Sequence, residues 1–152
     1  MTSAYPLWLP EGSKLKYTLE LTEATPSNNI IKGMHFFVYK KLRQQWKLKV
    51  LRSLVDQNID HTSIVPLEKS FLAVYRFATS SGLDWDNAYG GLKPLFDCLV
   101  CASEKNPDGL GLIKDDSPKY VPLPPFVQQM KAKRDNAATI VQIYSLEDVP
   151  NI

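Results

Sequence analysis

Cysteine and histidine are scarce: the 152-residue chain has two of each. Cys98 and Cys101 are three positions apart, so on a helix they lie on neighbouring turns and not in a disulfide framework. A zinc site would need two more ligands, and neither His35 nor His61 stands at a ligand-like spacing from them. We interpret both cysteines as half-buried helix residues, with a redox or adventitious metal role as the alternative.

Long apolar runs are also missing. No apolar stretch approaches the roughly 20 residues of a membrane-spanning helix, and residues 1–12 lack the basic-then-apolar order of a signal peptide. Hydrophobic residues make up 44% and charged residues 22% of the chain, ordinary values for a soluble globular protein. The sequence therefore predicts a cytoplasmic protein with no membrane partner.

Acidic residues are absent from one long stretch, between Glu23 and Asp56, although the net charge of the chain is only +2. Seven basic residues fall within it: Lys32, Lys40, Lys41, Arg43, Lys47, Lys49 and Arg52. Such a run is typical of a solvated helix face, or of a footprint for the phosphate backbone of a nucleic acid if a metal site accompanies it.

Hydrophobic periodicity predicts the main elements of the fold. Alternating patterns indicate strands, and spacings of four or five residues with Pro94 in a first turn indicate helices. The predicted strands are 14–21, 70–78, 110–113, a beginning at 120–123, and 139–144, and the predicted helices are 38–55 and 92–103. For the first helix we expect an apolar face of Val38, Leu42, Trp46, Leu51 and Val55.

This element order predicts an α+β protein with two main helices and a mixed or mainly antiparallel sheet. At 152 residues the chain has the length of one domain, so we assign residues 1–152 to a single unit. Its core is expected at about 15–145, and residues 146–152 are expected to form a mobile acidic tail.

Carboxylates are concentrated in the second half of the chain: Asp84 and Asp86, then Asp97, then Asp115 and Asp116. Like charges about 4 Å apart repel by roughly 4 kcal/mol at an effective dielectric of 20. A bound cation reverses that cost. Because no Cys or His accompanies these acids, they favour Mg²⁺ or Mn²⁺ over zinc, and such ions most often serve phosphate chemistry.

Two other acid-based sites can be tested position by position. A calcium EF-hand loop starting at Asp84 would need Gly and Glu where Tyr89 and Leu95 stand, which excludes it. A phosphatase with an aspartyl nucleophile would usually carry Thr or Val at the position of Ala88, which makes that class a weak alternative.

The order of the acidic motifs is more specific than any one of them. It resembles the pattern of the RusA-like family of Holliday junction resolvases, including phage-encoded members: Asp-x-Asp-Asn, Lys, Asp-Ala-Leu, then Asp-Asp. The matching positions here are Asp84, Asp86, Asn87, Lys93, Asp97, Asp115 and Asp116. Residues 26–29 (PSNN) match the family's Pro-Ser-x-Asn loop, residues 119–121 (KYV) follow the last acids as in phage members, and the resemblance covers about 15–145.

Two features depart from the family pattern. The gap before Lys93 is longer than in the most compact members because of residues 88–91 (AYGG), and Cys98 stands where Ala is usual. The first departure makes the assignment of Lys93 conditional on an insertion at Gly90 and Gly91.

The resemblance implies a Mg²⁺-dependent endodeoxyribonuclease, with Mn²⁺ as a substitute, that cuts four-way (Holliday) junctions by paired nicks as a homodimer. It implies that Asp84, Asp86 and Asp116 bind the metal and that Asp115 ligates it or orients water. Lys93 would contact the phosphate or stabilise the leaving oxygen, with Asp97 orienting it, unless the two form only an ordinary ion pair four residues apart.

We expect DNA contacts from these residues: Asn28, Asn29, Lys40, Lys41, Arg43, Lys47 and Asn87. Asn28 and Asn29 could instead cap a turn. Trp85 is expected to pack beneath its loop, with stacking on a base as the alternative. Two rival functions remain at this point: a junction- or duplex-DNA-binding protein of the same fold that does not cut, and a small-molecule phosphohydrolase.

Overall fold

A four-stranded mixed sheet lies at the centre of the molecule. The computed structural model describes residues 8–152, so residues 1–7 of the predicted domain lie outside the described residues. The strands are β1 (Lys14–Leu21), β2 (Ser70–Ala78), β3 (Phe126–Lys131) and β4 (Ala138–Ser145), in the order β1-β4-β2-β3. Strand β4 runs antiparallel to both its neighbours, and β2 and β3 are parallel. The predicted α+β class with a mixed sheet is confirmed.

Four α-helices and one 3₁₀ turn complete the described part of the chain: α1 (Asn28–Ile31), α2 (Phe36–Asp56), the 3₁₀ turn His61–Ser63, α3 (Trp85–Gly90) and α4 (Lys93–Leu99). Buried side chains of α2 and α4 share one hydrophobic cluster with Leu72 and Val74 of β2, so these helices cover one face of the sheet. No helix within residues 8–152 has the length and apolarity needed to cross a bilayer.

Helix α2 presents a different face to the core than its apolar spacing predicts. The side chains that it buries are Arg43, Trp46, Val50, Ser53 and Leu54. Of the predicted apolar face, Trp46 is buried, whereas Val38 and Val55 are exposed. The predicted apolar face is therefore wrong. The buried side of the helix includes a polar residue, Arg43, which the apolar spacing leaves out.

The C-terminal segment packs against the other face of the sheet. Leu146 is fully buried in a second cluster with Phe71 and Tyr75 of β2, and Val149 and Ile152 pack against that cluster. The Lys69 ammonium donates to the Ile152 carbonyl. The prediction of a mobile tail over 146–152 is therefore wrong: its apolar residues cover a sheet face that would otherwise meet water.

Replacing Leu146 by Ala is expected to lower the free energy of unfolding by about 2–5 kcal/mol, because it leaves a cavity in that cluster. Urea denaturation measures the change. Val65→Ala, at an exposed position, is the control and should change the stability by less than about 0.5 kcal/mol. A loss as small as the control's for Leu146→Ala would mean that the segment is mobile after all.

The second predicted helix is shorter, and the segment after it is not a strand. Helix α4 ends at Leu99, and the amide groups of Leu110 and Leu112 donate to the carbonyls of Cys98 and Leu99. The predicted strand 110–113 is reduced to one bridge between Leu67 and Ile113. No strand forms at 120–123; β3 begins after Pro124 and Pro125, which lack the amide hydrogen that a sheet ladder requires.

The two cysteines occupy different environments. Cys98 is buried in α4, and its thiol lies 3.2 Å from the Pro94 carbonyl oxygen and 3.3 Å from that of Arg43. Burial, followed by the nearby charges of Asp108 and Asp97, raises the pKa of Cys98 to about 12. That thiol stays protonated at neutral pH. Cys101 lies beyond the end of the helix, so the prediction of two helix cysteines holds for Cys98 alone.

Candidate active site

Helix α3 carries the first acid pair. Asp84 is the N-cap residue, and Asp86 lies in the first turn, where the partial positive charge of a helix N-terminus favours anions. The Asp84 side chain makes no capping hydrogen bond, and Asp86 Oδ1 accepts one from the Asn87 amide at 3.0 Å. The sequence did not predict a helix here. The helix forms although it contains Gly90, because the second glycine, Gly91, is the C-cap residue and lies outside it.

The glycine pair between the acids and Lys93 is a contact surface for the loop before α1. A Cβ atom on Gly91 would lie 1.7 Å from the Pro26 carbonyl oxygen, and one on Gly90 would lie 2.5 Å from Cγ of Asn28. Residues 88–91 therefore complete α3 and let the predicted Pro-Ser-x-Asn loop pack against it. Ser27 caps α1 by accepting from the Asn29 amide at 3.1 Å, so the capping role falls to Ser27 and not to the asparagine side chains.

Lys93 and Asp97 lie one turn apart on α4, with 3.4 Å between Lys93 Nζ and Asp97 Oδ1. The Tyr39 hydroxyl of α2 donates to Asp97 Oδ2 at 2.6 Å, and the Asn106 side-chain amide donates to the Asp97 backbone carbonyl at 2.7 Å. Asp97 is thus held on several sides, while the Lys93 ammonium remains exposed. The Lys93–Asp97 ion pair is present, as both the positioning role of Asp97 and the plain ion-pair alternative require.

Tyr39 belongs to this group, and no sequence pattern links it to Asp97. Burial, followed by its hydrogen bond to Asp97 and the charge of that carboxylate, raises the pKa of Tyr39 well above its ordinary range. The hydroxyl therefore acts as a permanent hydrogen-bond donor at neutral pH. It reaches Asp97 only because α2 packs across α4, a contact between residues 58 positions apart.

The second acid pair joins the same group through the segment that follows α4. Burial raises the pKa of Asp116; the charge of Asp115, and then that of Asp97, raises it further, and Lys93 lowers it. Asp116 therefore lies within electrostatic range of Asp97 and Lys93, which lie about 20 positions earlier in the chain.

The fit of a metal ion to these acids is partial. Within residues 8–152, no three His, Cys, Asp or Glu side chains form a group that could hold a metal ion. The predicted set of Asp84, Asp86 and Asp116 is therefore not assembled as a three-ligand cage. The donors are nonetheless hard carboxylate oxygens, and Mg²⁺ is usually held by one or two carboxylates plus water and substrate phosphate. The ligand type therefore suits Mg²⁺, but the described residues do not form a complete coordination site.

Arg43 does not belong to a DNA-binding surface. Its Nε donates to Oδ2 of Asp108 at 2.7 Å, and both side chains are only 6% exposed. Lys47 lies 3.9 Å from the other oxygen of the same carboxylate. The prediction that Arg43 contacts DNA is wrong because its guanidinium group neutralises a buried acid. Nothing in the sequence links Arg43 to Asp108, which lies 65 positions away.

The remaining basic residues of α2 fall into two groups. Lys49 pairs with Glu23 at 3.4 Å, and Arg52 pairs with Asp56 at 3.6 Å. Lys40 and Lys41, by contrast, have no ion pair with any carboxylate of residues 8–152. The positive charge available to a phosphate ligand therefore lies at the first two turns of the helix.

The aromatic side chains of α3 face outward. Trp85 is exposed, and its ring lies 6.4 Å from that of Tyr89, whose hydroxyl donates to the Pro125 carbonyl at 3.0 Å. The expectation that Trp85 packs beneath its loop is wrong. Of the residues of α3, only Ala88 is buried, so the polar and aromatic side chains of this helix remain in contact with solvent.

Comparison with known proteins adds no relative: no family profile matches the chain, and no curated protein shows significant similarity to it. The functional argument therefore depends on the geometry above and on the order of the acidic motifs.

Proposed function

We propose that this protein is a Mg²⁺-dependent endodeoxyribonuclease that cuts four-way DNA junctions. The observation that carries the proposal is the ordered group of the exposed Lys93 ammonium, Asp97 and Tyr39, with Asp116 within electrostatic range of it. A lysine beside several carboxylates is the combination that phosphate chemistry needs, because the acids hold a cation and the lysine binds the anionic substrate.

The acidic residues would hold the metal ion from two segments of the chain. Asp115 and Asp116 would hold Mg²⁺ near Lys93, and Asp84 and Asp86 on α3 would supply further carboxylate oxygens. When bound, the ion would neutralise charge on the phosphoryl oxygens and lower the pKa of a water molecule. Mn²⁺ would substitute for it.

Lys93 is positioned by its neighbours to meet a phosphate oxygen. Asp97 holds the ammonium from one side, and the Tyr39 hydroxyl fixes the orientation of Asp97. Because Lys93 is exposed, its remaining hydrogens stay available to a nonbridging oxygen of the substrate. Asp97 is thus a positioning residue, and Lys93 is the group that touches the substrate.

Paired cleavage suggests a symmetric assembly. Opposed strands of a four-way junction present two equivalent scissile phosphates, and a homodimer with a two-fold axis presents two copies of one site. We therefore propose a homodimer as the active form, with branched DNA as its partner.

One observation favours a second function, a junction-binding protein that does not cut. The described residues do not form a three-ligand metal group. Incubation of a labelled four-way junction with Mg²⁺, Mn²⁺ or EDTA separates the two functions. Nicks with either metal and none with EDTA support the nuclease; an intact junction that is still shifted in a native gel supports the binding protein.

The two unpaired lysines of α2 give a test of the DNA footprint. Replacing Lys40 and Lys41 together by Ala should flatten the slope of log K against log salt by about 1.8, since each neutralised phosphate contributes about 0.9. Fluorescence anisotropy with labelled duplex at several salt concentrations measures the slope.

The matched control is the double variant Lys49→Ala and Arg52→Ala. It removes the same charge from the same helix, but from side chains that pair with Glu23 and Asp56. A smaller change is expected for this control. Equal flattening by both double variants would mean that the net charge of the protein, and not a footprint at Lys40 and Lys41, governs binding.

A further inference from the structure

Three consecutive apolar side chains at the start of α2 are exposed to solvent. Phe36 is 62% exposed, Phe37 is 64% exposed and Val38 is 52% exposed. Single exposed apolar residues are common on protein surfaces, but a contiguous exposed run with two aromatic rings is a feature of binding surfaces. The first buried side chain of the helix is Arg43.

The rings in this run are ordered although they are not buried. His35 is the N-cap of α2, and its Nδ1 accepts from the Phe37 amide at 3.2 Å. The His35 ring stacks on Phe37 with 5.4 Å between centroids and 25° between planes. Phe36 meets Phe37 edge to face at 5.6 Å. We name His35, Phe36 and Phe37 the aromatic platform.

The charges that the first turns of α2 contribute beside the aromatic platform are positive. Lys40 and Lys41 follow Phe36 and Phe37 by four residues, which places each lysine about one turn, or ~6 Å, along the same side of the helix. Lys32 is exposed at the end of α1. No acidic residue lies between Glu23 and Asp56 in the sequence, and the Asp97 carboxylate, which reaches this part of α2 at Tyr39, is paired with Lys93.

This combination matches the chemistry of a single nucleic-acid strand, in which stackable bases alternate with phosphates. Proteins that bind such strands combine aromatic side chains that stack on bases with basic groups that follow the backbone. A second copy of this surface would oppose lysine to lysine, so charge complementarity disfavours self-association there.

We propose that the aromatic platform stacks on unpaired DNA bases while Lys40 and Lys41 bind the adjoining phosphates. This inference rests on the proposed function, because opening of a bound junction at the point where its strands exchange would supply the unpaired bases. It names the part of the substrate that α2 would hold, separately from the acids that would serve cleavage.

The test measures binding of a dye-labelled thymine oligonucleotide, about 12 nucleotides long, by fluorescence anisotropy in the presence of EDTA. The double variant Phe36→Ala and Phe37→Ala should bind roughly tenfold more weakly than the unaltered protein, since stacking is worth about 1–3 kcal/mol per base. The control is Leu48→Ala with Val55→Ala, which removes apolar side chains of the same helix that are each 65% exposed. Its binding should stay within about twofold of the unaltered protein's.

Equal binding by the unaltered protein and the phenylalanine variant would overturn the proposal, provided that circular dichroism and thermal unfolding show both to be folded. It is equally overturned if that variant loses only self-association in size-exclusion chromatography, or only adhesion to phosphatidylserine vesicles. Because no metal and no cleavage enter the assay, its outcome is independent of the nicking result: a protein that cuts junctions could fail here, and one that does not cut could pass.

Discussion

Replacing Asp116 by Asn is expected to reduce cleavage of a four-way junction by roughly 10²–10³-fold, the scale set by removal of one preorganised electrostatic group. The substitution keeps the volume of the side chain and removes a negative charge that is next to Asp115 in the chain and within electrostatic range of Asp97 and Lys93. Junction binding should be retained, because the basic surface of α2 is unchanged. Initial nicking rates with Mg²⁺, together with a native-gel titration, measure both effects.

Two further variants sharpen this prediction. Asp86→Asn should also abolish cleavage if the acids of α3 serve the same ion, whereas Asp56→Asn, the same change on the surface of α2, should cut normally. If Asp116→Asn is inactive and Asp86→Asn is active, the ion is held on the Asp115–Asp116 side alone. Normal cutting by both site variants would exclude the metal assignment.

The second large effect concerns stability. Asp108→Ala should lower the free energy of unfolding by about 3–5 kcal/mol, because it leaves the Arg43 charge uncompensated in the interior. Arg43→Ala should have a large effect as well, because it leaves the buried Asp108 carboxylate with only the longer 3.9 Å contact to Lys47. The double variant Arg43→Met with Asp108→Leu should recover most of that loss, since apolar residues of similar volume can replace a buried ion pair at little cost. Urea denaturation of the three variants measures these changes.

The exposed pair on the same helix serves as the control. Arg52→Ala, which breaks only the surface pair with Asp56, should cost at most about 0.5 kcal/mol. A similarly small loss for Arg43→Ala, accompanied by weaker DNA binding, would contradict the buried pair and restore Arg43 to the DNA-binding surface.

The fold could be predicted where local pattern decides it. Strands β1 and β2 have the bounds that their alternation predicts, and β4 extends one residue further at each end. The face of α2 could not be predicted, because Arg43 is buried only through Asp108, 65 positions away. The packing of residues 146–152 likewise depends on a sheet face that exists only after the distant strands have paired.

The same distinction between local sequence pattern and distant contacts applies to the candidate site. The Lys93–Asp97 pair follows from helical spacing and is present, whereas the functional role of the acids, taken from their order, stays a prediction. The sequence does not predict that Tyr39 holds Asp97, because that contact arises from helix packing. It also presents Gly90 and Gly91 as an insertion, whereas their missing side chains admit the loop that carries Pro26 and Asn28.

Cleavage of branched DNA at the site near Lys93 is measured on a denaturing gel of a four-way junction, labelled on each strand in turn, after incubation with the protein and Mg²⁺. We expect nicks at symmetry-related positions in two opposed strands, dependent on the metal and absent with linear duplex of the same sequence. An intact junction, under conditions in which the protein is folded and bound to it, would exclude the proposed cleavage.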